Sequence, residues 1–242
     1  MAKPVKTQHS RRPRSIRFVI VSDSHGDLID QETEWELNHF LADFQPAIRV
    51  HAGDVFDFRW LRRKASEQEQ REAIHPDLVA GIDFLKRYKP NYITWGNHDQ
   101  RVFNGLDSDC GPMAALCAAI IERIDGAIRG AITLPYTKRS VLALADLRIC
   151  HGMHSGVQAL KQTMDLMPGD GTTVVMGHLH RLEYRRRISV GGGGSYICPA
   201  LCQLDTAGAR FLLHELSTLS LHLCKFFIVP SKHRPKFLQQ PR

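Results

Sequence analysis

The stretch 173-TVVMGHLH-180 runs four apolar or β-branched residues into a glycine and then sets His178 and His180 one residue apart. A short apolar run closed by a glycine reads as a buried strand. Alternate residues of an extended segment point to opposite faces, so these two imidazoles share a direction only where the strand has given way to a loop. Gly177 permits that break, because glycine accepts backbone angles other residues avoid. An isolated His-x-His of this kind is more often a strand end with two surface histidines. Its meaning depends on the rest of the chain.

Four other apolar runs end the same way. The run 17-RFVIV-21 leads to Asp23, His25 and Gly26, and 47-AIRV-50 leads to His51, Gly53, Asp54 and Asp57. The run 92-YITW-95 leads to Gly96, Asn97, His98 and Asp99, and 147-LRIC-150 leads to His151 and Gly152. Between the early runs lie helical patterns. Residues 31–44 place Trp35, Leu37, Phe40, Leu41 and Phe44 at helical spacing, and residues 60–88 are rich in Glu, Gln, Lys, Arg and Ala. Strand alternating with helix describes an α/β core, whose ligands gather at the carboxyl ends of the strands. Five clusters far apart in sequence can therefore converge on one pocket.

The residue types indicate what that pocket holds. Asp23, His25, Asp54, Asn97, His151, His178 and His180 combine carboxylate, amide and imidazole without a thiolate. That set suits Mn²⁺, Fe²⁺ or Zn²⁺ in open sites rather than a structural zinc. It is too many ligands for one ion that must also bind substrate. Two metals sharing a bridging carboxylate use the whole set, an arrangement fitted to phosphoester hydrolysis.

A chain of 242 residues with 43% hydrophobic and 24% charged residues has the length and composition of a globular domain. No apolar run is long enough to span a bilayer and the N-terminus lacks a secretory core, so a cytoplasmic protein without membrane partners is expected. The net charge of +7 resides in the ends: residues 1–15 hold five basic residues and residues 229–242 hold four, with no acid in either, leaving the body slightly acidic. Such tails either attract nucleic acid or simply solubilise the chain. Six cysteines without a CxxC pair predict reduced thiols, with Cys198 and Cys202 acting as buried small hydrophobes.

In order and spelling, DSH at 23–25, GDVFD at 53–57, GNHD at 96–99, HG at 151–152 and GHLH at 177–180 resemble the calcineurin-like metallophosphoesterase superfamily. The resemblance spans residues 17–180. It implies a four-layer αββα sandwich, two mixed β-sheets flanked by helices, over residues 16–228 between the tails at 1–15 and 229–242. The remaining β-like stretches, near 128–134, 140–145, 184–190, 195–198, 209–215 and 219–228, would build its second half, with 191-GGGGS-195 as a hairpin turn.

By the same resemblance, Asp23, His25, Asp54 and His180 bind a first metal, and Asp54 bridges to a second completed by Asn97, His151 and His178. A metal-bridging water attacks phosphorus, with Mn²⁺ the expected ion and Fe²⁺ or Zn²⁺ the others. His98 and Asp99 form the catalytic pair, His98 protonating the leaving oxygen or holding the phosphate and Asp99 orienting its imidazole. Asp57 steers a ligating or catalytic histidine, and His154 stands close enough to touch substrate. His51 is expected to pack within its strand.

Departures from the superfamily's branches narrow the reading. Protein serine/threonine phosphatases read GDxVDRG where this chain reads GDVFDFR, and the DNA repair nucleases carry a histidine where Asp57 stands. The chain looks more like a compact bacterial or phage-type member. The basic tails and the run 181-RLEYRRR-187 tilt the expectation toward a phosphodiesterase or nuclease over a monoesterase acting on a small phosphorylated metabolite. A non-catalytic metal-containing binding module is the competing class, and nothing in the sequence bears on oligomeric state.

Overall fold

The computed structural model describes residues 16–167, 171–186, 194–198, 200–203, 214–216 and 224–226. The two basic tails lie outside these residues. The chain opens with β1 (Phe18–Val21), α1 (Gln31–Phe44) and β2 (Ile48–His51), followed by α2 (Glu67–Arg71), α3 (Ile74–Tyr88) and β3 (Tyr92–Thr94). Helices α4 (Gln100–Gly105) and α5 (Gly111–Ala127) precede β4 (Ile132–Leu134), β5 (Leu142–Leu144) and β6 (Leu147–Cys150). Then come α6 (Ala159–Asp165), β7 (Thr173–Met176), β8 (Glu183–Arg186), β9 (Gly194–Ile197), β10 (His214–Leu216) and β11 (Cys224–Phe226).

These strands form two mixed sheets, ordered β10-β11-β1-β2-β3-β4 and β5-β6-β7-β9-β8. Strands β1 to β4 run parallel, which requires crossover connections, and α1 and α3 supply two of them. The expectation that 128–134, 209–215 and 219–228 belong to the second half is corrected here, since β4, β10 and β11 all join the first sheet. Strands β8 and β9 pair antiparallel, with Gly194 and Ser195 of the hairpin turn expected at 191–195 already inside β9. Residues 191–193 lie outside the described residues.

Strand alternation explains the layering. Phe18 and Ile20 of β1, with Val50 and Ala52, meet Ile149, Val175, Tyr196 and Cys198 of the second sheet in one buried layer. Val19 and Val21 face the other way, toward Leu37 and Leu41 of α1 and Phe84 and Tyr88 of α3. Cys117, Ile120 and Ile124 of α5 extend that outer layer against Val55, Phe56 and Ile93. Beyond the second sheet, Leu160 of α6 packs on Cys150, Met176 and Ile197. Helix, sheet, sheet and helix make the four layers, each fully buried aliphatic or aromatic side chain contributing about 1.5–3 kcal/mol.

Two local expectations need revision. Trp35 is 57% exposed and stacks on His39 instead of packing inward. It precedes the buried Leu37 by two residues, which places it on the far side of a helix with 3.6 residues per turn. The helical pattern over 60–88 divides into a 3₁₀ turn at Arg59–Leu61, α2 and α3. Ser66 and Glu69 form a reciprocal capping box that starts α2, and Glu72 and Ala73 are extended before α3 begins.

Candidate metal centre

The clusters converge where β1, β2, β3, β6 and β7 end. Nine described non-glycine residues have positive φ, and five of them are Asp23 (55°), His25 (50°), Asp54 (53°), His178 (77°) and His180 (49°). A non-glycine residue held there costs roughly 1–3 kcal/mol and persists only where its surroundings impose it. These left-handed residues bend the chain after β1, β2 and β7, whereas Asn97 after β3 and His151 after β6 have ordinary backbone angles. This corrects the reading of Gly177, which is not among the positive-φ residues. A Cβ there would stand 1.9 Å from Ser22 Oγ and 2.9 Å from Asp23 Oδ2, so the glycine provides close approach while the histidines carry the bend.

All seven residues expected as ligands are brought together. Nε2 of His180 lies 3.3 Å from Asp23 Oδ1 and 3.1 Å from Nε2 of His25. Nε2 of His25 is 3.9 Å from carboxylate oxygens of both Asp23 and Asp54. On the other side, Nε2 of His151 lies 3.1 Å from Asp54 Oδ2 and 3.1 Å from Asn97 Oδ1. His178 faces His151 with ring centroids 5.1 Å apart, and its backbone N–H donates to Asp23. Four groups among the described residues have donor atoms within 4.8 Å of one another, and two of them, Asp23–His25–Asp54 and Asp54–His151–His178, consist wholly of expected ligands. Asp54 belongs to both.

The far nitrogens of these rings are held. Nδ1 of His151 donates to the Ala52 carbonyl at 2.9 Å, and Nδ1 of His25 lies 3.3 Å from Asp57 Oδ1. Nδ1 of His180 lies 3.9 Å from Sγ of Cys202. The rings of His25, His151 and His180 therefore present Nε2 to the centre, the orientation that partners around a metal-ligating histidine enforce. Cys202 had been read only as a small hydrophobe. It is buried, burial pushes its thiol up, and its Sγ forms with His25 and His180 a further group of donor atoms within 4.8 Å of one another.

The pair assigned to His98 is corrected. Its Nδ1 lies 2.5 Å from Oδ1 of Asp57, not of Asp99, and its backbone N–H donates to Asp54 Oδ1 at 2.9 Å. Asp99 points the opposite way from its neighbour in sequence. It accepts from the backbone N–H groups of Gly96, Phe56 and Val55, tying the GD and GNHD loops together. Asp57 contacts both His25 and His98 and also receives Arg59 at 3.2 Å. His154, half-buried, stands outside the ligand triads and lines a cleft beyond His151.

Charge in the centre is balanced by imidazole. Burial disfavours the Asp23 carboxylate, but the hydrogen bond from His180 and the charge of His151 outweigh it and bring it to about 2. Asp54 is likewise held well below the carboxylate range by His151 against the cost of burial. Against the same cost, His151 rises to about 9 beside Asp54 and His180 to about 11 beside Asp23. Buried carboxylates thus keep protons on two histidines. A divalent cation replaces such protons on oxygen and nitrogen donors of this kind, so the residues fit a metal.

Sequence reasoning missed several neighbours. His51 does pack within its strand, fully buried with Nε2 3.1 Å from Ser24 Oγ, and burial lowers it to about 3. Arg59 pairs with Asp27, Asp57 and Glu72, and Arg101 donates to the Asp57 carbonyl at 2.7 Å. Arg181, just before the edge strand β8, and Arg185 within it both pair with Glu183 and also donate to the Gly156 and Val157 carbonyls respectively. No helix among the described residues is long and apolar enough to cross a membrane.

The chain is similar to several known proteins. The gene 54 protein of Mycobacterium phage D29 is 28% identical over 188 residues, 69% of this chain and 70% of its own length. The gene 54 protein of Mycobacterium phage L5 is 26% identical over 199 residues, 75% of each chain. A metallophosphoesterase structure from Sphaerobacter thermophilus covers 81% of each chain at 15% identity with a TM-score of 0.49. The calcineurin-like phosphoesterase family matches residues 16–199, a span that contains both sheets' site-bearing strands and every one of the seven ligand candidates. On that match the chain belongs to the calcineurin-like phosphoesterase family.

Proposed function

We propose that this protein hydrolyses phosphoesters with a pair of divalent ions, Mn²⁺ foremost, and that phosphodiesters, nucleic acid among them, are its preferred substrates. The observation that carries the two-ion reading is the membership of Asp54 in both donor triads. Asp23, His25, Asp54 and His180 would hold one ion, and Asp54, Asn97, His151 and His178 the other. Bound there, such ions supply an activated water and neutralise charge on the phosphoryl oxygens.

The chain's own residues do the rest. Asp57 fixes the His98 ring through Nδ1 and gives an imidazolium its counter-charge, leaving Nε2 3.9 Å from Asp54 Oδ2 at the mouth of the centre. When water adds to phosphorus and the ester P–O bond breaks, the departing oxygen takes the Nε2 proton. The left-handed turns at Asp23, His25 and Asp54 hold the donors in place before substrate arrives. Preference for diesters rests on the basic ends of the chain, which suit a polyanion.

The test is Mn²⁺-reconstituted hydrolysis of bis-p-nitrophenyl phosphate and p-nitrophenyl phosphate, with Asp54→Asn and His98→Ala alongside. Faster diester cleavage, abolished by Asp54→Asn, supports the full reading. Turnover of the monoester alone removes the diester preference and points to small phosphorylated metabolites. No turnover with several metals points to a binding module.

A further inference from the structure

Cys202 stands apart from the other buried cysteines. Cys117, Cys150 and Cys198 each pack within one of the apolar clusters. Cys202 is 7% exposed yet belongs to none of these clusters. The role of a small hydrophobe, which accounts for the other three, does not account for it.

The segment that carries Cys202 crosses from one sheet to the other. It follows β9 of the second sheet, and Ala200 bridges in parallel to Ser22, just past β1 of the first. Cys202 itself bridges antiparallel to Ile29, and its backbone N–H donates to the Asp23 carbonyl at 3.0 Å. Pinned to the DSH loop in this way, the residue sets Sγ 3.9 Å from Nδ1 of His180. Among the described residues the sulfur is the one hydrogen-bond partner of that nitrogen. Nε2 of the same ring lies 3.3 Å from Asp23 Oδ1. Cys202 therefore holds two candidate ligands of the first ion, Asp23 by its backbone and His180 by its side chain.

An imidazole whose Nε2 binds a cation keeps its proton on Nδ1, and the group that accepts this proton fixes the ring. A carbonyl oxygen does so for His151 and a carboxylate oxygen for His25, whereas the acceptor beside His180 is sulfur. We propose that Cys202 is a positioning residue, its sulfur accepting the Nδ1 proton of His180 so that Nε2 stays aimed at the ion shared with Asp23 and His25. The proposal rests on the two-ion reading, and it assigns Cys202 to one ion of the pair.

Calorimetric titration of the full chain with Mn²⁺, beside Cys202→Ala and Cys202→Ser, tests it. Cys202→Ala should weaken one of two binding steps by about tenfold or more, the scale of a lost partner behind a ligating histidine, and leave the other unchanged. Hydrolysis of a p-nitrophenyl ester should fall at limiting Mn²⁺ and return at saturation, a split that loss of packing would not give. Cys202→Ser keeps an acceptor and should bind Mn²⁺ more tightly than Cys202→Ala, whereas a residue present only for packing would tolerate alanine better than serine. Equal Mn²⁺ binding by all three proteins overturns the proposal and leaves the two-ion centre standing. A single binding step in the wild type, weakened by Cys202→Ala, does the reverse. No Mn²⁺ binding by the wild type removes both. With Co²⁺ in place of Mn²⁺, a sulfur-to-cobalt charge-transfer band abolished by Cys202→Ser also overturns the proposal, since the sulfur is then a ligand.

Discussion

One carboxylate oxygen serves two histidines: Oδ1 of Asp57 lies 2.5 Å from Nδ1 of His98 and 3.3 Å from Nδ1 of His25. The first ring is the candidate proton donor and the second a candidate ligand. Burial of Asp57 raises its carboxyl, yet the hydrogen bonds from both histidines hold it well below the ordinary range. It stays ionised across the working range and orients both rings at once.

Asp57→Asn should therefore lower kcat by roughly 10–100-fold and weaken Mn²⁺ binding, since loss of a partner behind a ligating histidine has effects of that size. Steady-state kinetics and calorimetric titration with Mn²⁺ read the two effects separately. Unchanged values in both would remove Asp57 from the mechanism.

Asp99 should matter differently. Its carboxylate ties three backbone N–H groups together inside the protein, and burial, reinforced by the Asp54 charge, raises it to about 7. Asp99→Ala leaves those donors unpaired and should cost about 2–4 kcal/mol in urea unfolding. Asp99→Asn keeps an acceptor and should cost less. A normal urea midpoint with activity lost in Asp99→Asn would return the residue to the chemistry.

His51 predicts a pH dependence. Burial lowers it from 6.5 to about 3, so the unfolded chain takes up its proton at a higher pH than the folded one. The stability this provides is complete above pH 6.5 and is lost progressively as the pH falls from 6.5 to about 3, a span worth roughly 5 kcal/mol. In EDTA, the urea midpoints of wild type and His51→Gln should draw together between pH 7.5 and pH 4.5. A gap indifferent to pH would mean that His51 is not held neutral.

Gly177→Ala would drive a methyl to within 1.9 Å of Ser22 Oγ and 2.9 Å of Asp23 Oδ2. About 1–3 kcal/mol of overpacking is expected, together with weaker Mn²⁺ binding as Asp23 shifts. Gly126→Ala on the exposed side of α5, where nothing lies within 4 Å, should be neutral or stabilising. Urea unfolding and Mn²⁺ titration of the two variants make the comparison, and equal behaviour would show that Ser22 yields freely.

How much could be read beforehand depended on how local each signal was. An apolar run closing in Asp, His or Asn beside a glycine is a local pattern, so the ligand candidates from Asp23 to His180 stood out together. The partner of His98 did not. Asp99 is its neighbour in sequence, but adjacent residues diverge, while Asp57 arrives from another loop. Sheet membership was hidden for a related reason: β4 and β11 are placed by pairing with β3 and β1, which their own residues do not encode. Trp35 joined a helical pattern that hydrophobicity alone could not phase. Tyr136 and Cys202 belong to no motif, and only the fold brings them beside His151 and His180.

The candidate donors ride on two separate sheets. Asp23, His25, Asp54 and Asn97 follow β1, β2 and β3, whereas His151, His178 and His180 follow β6 and β7. The layer of Phe18, Ile20, Ile149 and Val175 between the sheets is therefore the spacer that sets the separation of the two halves. A bulkier residue at Val175 would act as a wedge, and a smaller one as a slackened shim. Either would retune the reacting distances without altering a single polar group, making the greasy interior the calibration of the chemistry at its rim.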